Sequence, residues 1–143
     1  PKLREQARAA GVADRVHFVG RVLLEQLPAY INLMDVCLST QTNDLVGQVR
    51  TTGKLPLYLA CGRFVVASRV GEAARLLPDE MLIPYEGRDQ YVEALAERLR
   101  WLARHPQALA LGEANIALAR QHFEYEVLAS RVRSIFDRLL GEG

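Results

Sequence analysis

The chain has 143 residues, 50% of them hydrophobic and 24% charged. That composition describes one globular domain and excludes a disordered chain. Eighteen Lys and Arg against 17 Asp and Glu leave a formal charge of +1, so the broad basic surface that nucleic acids or anionic membranes require is missing and any cationic site must be local. The longest apolar runs, Leu57 to Cys61 and Phe64 to Ala67, fall far short of the ~20 residues that cross a bilayer. The opening Pro1 Lys2 Leu3 Arg4 Glu5 Gln6 has no apolar signal-peptide core.

Cys37 and Cys61 sit in apolar segments without a partner at redox-motif or metal-site spacing. They read as small buried hydrophobes in a reducing compartment, and the expected location is cytoplasmic. His17, His105 and His122 are far apart and form no zinc or haem spacing, so no metal is expected.

In chain order, Lys2 to Ala10 is a run of good helix formers closed by Gly11. Val16 to Val19, ended by Gly20, predicts a first buried strand. Apolar residues at Leu24, Leu27, Ile31 and Met34 predict a helix starting near Pro28. Val36 to Ser39 predicts a second strand. Gln41 to Val49 reads as a polar loop, with Asn43, Asp44 and Gly47 as turn formers. A helix from about Thr52 to Cys61 stops at Gly62, and Arg63 to Ser68 predicts a third strand. Val70 to Leu76 is a short helix, and Met81 to Ile83 a fourth strand beside Pro84.

From Asp89, a plausible N-cap, the period-2 runs vanish and three helices follow. The first carries Tyr91, Leu95, Leu99 and Leu102 on one stripe. The second is Ala-rich and follows Pro106, and the third runs over Val127 to Leu140. Alternating strands and helices without hairpins predict an α/β fold: a Rossmann-like parallel sheet with helices on both faces and a C-terminal helical cap. Ligands in such sheets bind beyond the carboxyl ends of the strands. The opening helix has no strand before it, so the pattern predicts a single domain, 1–143, missing its first strand-helix-strand portion.

Neither GxGxxG nor GxxxxGK[ST] is present. In their place, Val46 to Lys54 lies between a strand's carboxyl end and a helix's first turn. Backbone N–H groups at a helix start attract anions such as a diphosphate. Arg50 and Lys54 add two cations there, and Thr51 and Thr52 add hydroxyls. The alternative is that Arg50 and Lys54 are solvated charges. No serine has the context of a nucleophile elbow, and Asp35 and Asp44 read as turn formers in preference to an acid–base pair.

The segments Val16-His17-Phe18-Val19-Gly20, Asp35 to Thr40, Lys54-Leu55-Pro56-Leu57-Tyr58-Leu59-Ala60-Cys61-Gly62, Phe64 to Ser68 and Val70-Gly71-Glu72 resemble, in order and spacing, the C-terminal nucleotide-sugar-binding domain of family 4 (group 1) glycosyltransferases. The resemblance implies the C-terminal half of a GT-B enzyme and covers nearly the whole chain. It implies a hexosyltransferase that takes a UDP- or GDP-sugar as donor, with no separate cofactor, and transfers the sugar to an acceptor hydroxyl with retention. It further implies Gly20, Arg21 and Val22 near the base, and Gly47, Thr51, Thr52 and Lys54 around the diphosphate. Catalytic residues are not assigned.

Three departures accompany the resemblance. Leu57 stands where the family has a ribose-binding glutamate, and leucine accepts no hydrogen bond; Val49 falls at the place of the other glutamate of that pair. The glycine-rich first loop would precede Pro1. The acceptor domain, which would bind a glycan, lipid or small molecule, is missing as well, so the isolated chain is expected to be inactive. The rival expectation is a degenerate, non-catalytic Rossmann-like domain kept for structure or interaction. A homodimer through the apolar face of the last helix is a further expectation.

Overall fold

A computed structural model describes residues 2–141. Its centre is a three-stranded parallel sheet in the order β1-β2-β3, formed by Val36–Ser39, Phe64–Ser68 and Leu82–Ile83. β1 and β2 are in register from Val36 opposite Phe64 to Ser39 opposite Ala67. β2 and β3 pair at Ala67 with Leu82 and at Ser68 with Ile83. The uninterrupted Phe-Val-Val-Ala-Ser run of β2 suits a strand covered on both faces, and all five of its residues are buried.

Around the sheet lie α1 (Lys2–Ala9), α2 (Leu27–Asn32), α3 (Leu45–Val49), α4 (Lys54–Ala60) and α5 (Gly71–Leu76). The cap follows as α6 (Arg88–Arg104), α7 (Asn115–Phe123) and α8 (Tyr125–Gly141). Leu55 and Leu59 of α4, Ile31 of α2, Ala73 of α5, Tyr91 and Leu102 of α6 and Ala119 of α7 close one core with β2 and β3. The predicted fold class is therefore the observed one: a parallel sheet flanked by helices with a C-terminal helical bundle. No helix among the described residues is long and apolar enough to cross a membrane.

Three local expectations are corrected. Val16 to Val19 has no regular secondary structure and pairs with no strand among the described residues. Val19 is 62% exposed, and Phe18 is covered instead by the Arg4 guanidinium, 4.6 Å from its ring centre. An apolar tetrapeptide becomes a strand only where a neighbour completes its ladder. The polar stretch Gln41 to Val49 is not all loop, because Asp44 caps α3. The segment after Pro106 is a 3-10 stretch, Pro106–Ala114, and the α-helix starts only at Asn115. Gly112 in that stretch is packed so close to β2 that a Cβ would lie 2.5 Å from the Phe64 nitrogen.

Asn115 fastens the cap to the sheet. Its side chain, 1% exposed, donates to the Arg63 carbonyl at 2.8 Å, just ahead of β2. α4 and α7 also pack against each other, and Leu57, Ile116 and Ala119 line the groove between them.

Burial also sets an alkaline limit. Desolvation pushes the Cys37 thiol from its ordinary 9.0 up to about 11; nearby Arg63 opposes this and Cys61 adds to it. Burial, with a smaller contribution from Tyr85, pushes the Tyr91 phenol up to about 12. Both folded values exceed the unfolded ones. The unfolded chain thus releases these protons first, and stability falls as pH rises above about 9. Urea midpoints should decline steadily from about pH 9 to about pH 11, with Cys37 unreactive to thiol reagents in the folded protein near pH 8. A flat midpoint, or rapid labelling of Cys37, would contradict this.

Candidate functional site

The candidate site is the loop cluster beyond the carboxyl ends of β1 and β2. After β1 the chain turns at Gln41, whose N–H donates to the buried Ser68 Oγ at 2.7 Å. This bond ties the exit of β1 to the end of β2. The Asp44 carboxylate accepts from the Gly47 N–H at 2.8 Å and from the Thr42 hydroxyl at 2.6 Å. These bonds, that from Thr42 foremost, hold its carboxyl below the usual carboxylate range. Asp44 is thus an ionised helix cap and not a proton donor.

Gly47 is buried for a steric reason. A Cβ there would lie 1.8 Å from the Thr42 carbonyl oxygen. Opposite it stands Gly71, at φ +55, where a Cβ would lie 2.6 Å from the Gly47 carbonyl oxygen. The first turn of α5 therefore rests directly on α3, and the Gln48 Oε1 accepts from the Gly71 N–H at 3.2 Å. The loop is joined to α5 again where the Thr51 hydroxyl donates to the Glu72 carboxylate at 3.3 Å. Gln41 Nε2 donates to the Arg50 carbonyl at 3.2 Å.

On this frame the residues expected from sequence are distributed unevenly. Arg50, Thr51 and Gly53, between α3 and α4, and Lys54, the first residue of α4, are exposed. Neither cation is ion-paired among the described residues. The N–H groups of Thr51, Thr52 and Gly53 have no acceptor among those residues. Thr52 Oγ1 is enclosed and also lacks a partner. Gly47 spends its N–H on Asp44, so its part in this cluster is to shape the loop. α4 has seven residues, too short for a strong dipole, so the cations and loop amides are the principal anion-attracting groups.

Gly20, Arg21 and Val22 form a separate segment. Gly20 is at φ +74, Arg21 is exposed and Val22 half-buried. No hydrogen bond or ion pair among the described residues joins this segment to Gly47 to Lys54. Leu57 faces an apolar groove of about 350 Å³ with Pro56, Ala60, Ile116 and Phe123, and Arg120 and Glu124 also line it. Sequence reasoning missed Gln41, Gln48 and Glu72 as groups that hold the loop. The signal available was Val70-Gly71-Glu72 directly after a strand. Among the described residues no group of three or more His, Cys, Asp or Glu is gathered as a metal site would require.

A parallel sheet, a helical cap and a cationic loop beyond the strand ends define a Rossmann-like domain of the GT-B kind. The chain belongs to the family "Glycosyl transferases group 1", which it matches over residues 1–105. Its fold is also similar to that of a sucrose-phosphate synthase from Thermosynechococcus elongatus, with a TM-score of 0.78 and 23% sequence identity. That superposition covers 99% of this chain and 34% of the synthase, so the chain spans about a third of the length of that enzyme. No curated protein matches the chain significantly. Family and fold together make the chain homologous to glycosyltransferase domains of the nucleotide-sugar-binding fold.

Proposed function

We propose that the chain is the donor-binding lobe of a hexosyltransferase that takes a UDP- or GDP-sugar and delivers the sugar, with retention, to an acceptor hydroxyl. In this reading the lobe works with an acceptor-binding lobe and is inactive without it. The observation that carries the reading is that the family match includes a loop beyond the strand ends presenting Arg50 and Lys54 beside amides with no internal acceptor. The diphosphate lies against Thr51 to Lys54. As the anomeric C–O bond breaks, negative charge grows on the departing diphosphate, and Arg50 and Lys54 stabilise it. Gly20 to Val22 flank the base. The donor sugar needs no separate cofactor.

Calorimetric titration of UDP, GDP and their sugars is expected to show millimolar or tighter binding. Lys54→Ala should weaken it about tenfold, the usual worth of a charge-assisted contact. Absence of heat with every nucleotide would remove the reading.

A second reading, a domain that has lost donor binding and kept its fold for structure or interaction, is favoured by Leu57. This side chain packs toward α7, where a glutamate would face an apolar groove edged by Arg120 and Glu124. Leu57→Glu separates the two readings. A gain in nucleotide affinity identifies a decayed ribose site, and unchanged affinity with measurable binding identifies one rebuilt on other groups.

A further inference from the structure

We propose that the groove between the β3 edge and α6 is a second ligand site, one that takes a neutral oligosaccharide with a pyranose ring against Trp101 and hydroxyls bonded to Glu97, Arg98 and Arg104. The groove shares no residue with the loop cluster beyond the strand ends. It is the roomiest of the described depressions, about 590 Å³, within the ~300–1,000 Å³ of small-molecule sites. Arg98 and Trp101 line it and also a second depression of about 330 Å³ that reaches Glu80. This geometry suits a chain of linked rings, with one ring on each side of the Arg98–Trp101 ridge.

The chemistry of the lining selects the ligand. Trp101 is 42% exposed, on a helix that buries Tyr91 and Leu102. The imidazole of His105 stacks on it, with centroids 4.6 Å apart and planes within 20°, which steadies the indole as a flat platform. Arg98 is held in place by the Glu80 carbonyl, and Arg104 by the Arg100 carbonyl at 3.2 Å. Each retains further N–H donors.

No ion pair joins Glu80 or Glu97 to these arginines among the described residues. Guanidinium donors and carboxylate acceptors therefore line one cleft with hydrogen-bonding capacity to spare. Arg98, Arg100 and Arg104 outnumber the carboxylates of Glu97 and Glu80; a phosphate would engage those donors but leave the carboxylates without a partner. A sugar hydroxyl both donates and accepts, so vicinal hydroxyls can use both, while the apolar face of the ring covers the indole.

Trp101 is the chain's one tryptophan, so its fluorescence reports this groove alone. Maltoheptaose and cellopentaose are the probes, with a heparin hexasaccharide as the anionic control. The expected result is a saturable blue shift with at least one neutral oligosaccharide at up to about 10 mM, unchanged in about 0.5 M salt. Glu97→Gln and Arg104→Ala, both at exposed positions, should each weaken it about tenfold. Trp101→Ala should abolish the saturation-transfer signal of the sugar protons while the circular dichroism spectrum stays the same. No shift with either neutral oligosaccharide, a shift confined to the heparin fragment and lost in salt, or a blue shift that follows protein concentration without sugar would each overturn the proposal. UDP and GDP should leave the emission unchanged, so this test and the nucleotide titrations fail independently.

Discussion

Replacing Gly47 with alanine should cost about 3 kcal/mol and lower the melting temperature by ~10 °C. The added methyl would sit 1.8 Å from the Thr42 carbonyl oxygen, and that atom is backbone, which cannot rotate away as a side chain would. Relief requires α3 to lift from the Thr42 turn. Lifting it stretches the Asp44 to Gly47 cap and moves the Gly47 carbonyl that Gly71 rests on. Arg50 follows α3 directly, so nucleotide binding should weaken along with stability. Scanning calorimetry checks the first part: a variant melting within about 2 °C of the parent would show that the turn is soft.

Asn115→Leu should cost about 2–4 kcal/mol. Leucine is close in volume, so packing survives, but the Arg63 carbonyl loses the donor that meets it at 2.8 Å. The Asn115 side chain is 1% exposed, so water cannot replace the lost donor. Met81, 3.5 Å from the same nitrogen, is fully buried and gives up a weaker contact. Urea denaturation monitored by circular dichroism gives the value. A loss under about 0.5 kcal/mol would mean that apolar packing alone holds the cap.

The sheet was legible where residue type alone decides. Phe64 to Ser68 is apolar and β-branched without a break, and Gly62, at φ +63, ends the helix before it as its position in the sequence suggested. Val16 to Val19 carries the same local signal and pairs with no strand among the described residues, because a strand depends on a neighbour that no local window contains. α3 was hidden for the opposite reason. Its five residues are held by one carboxylate reaching the amide three positions on, and Leu45, Val46 and Val49 stay exposed, so no buried stripe betrayed the helix. Arg50, Thr51 and Lys54 could be read because charge and a strand-to-helix transition are local features. Sequence marked Leu57 as a departure, but the groove it shares with Ile116 and Phe123 is built from residues about sixty positions away, which only the folded chain reveals.

The last helix has a different standing from the rest of the molecule. α8 has no buried residue, every position from Arg131 to Gly141 is exposed, and Arg131 reaches back to the Gln121 carbonyl at 3.2 Å. At ~1.5 Å per residue its seventeen residues form a rod of ~25 Å, which packs on α7 at its start, where Val127 and Ala129 are half-buried, and is exposed along its second half. Winding or unwinding of the exposed half, Arg131 to Gly141, is consequently only weakly coupled to cooperative melting of the body. Any surface that docks on Val132, Ile135 and Leu139 would gain its contacts without drawing on the stability of the sheet.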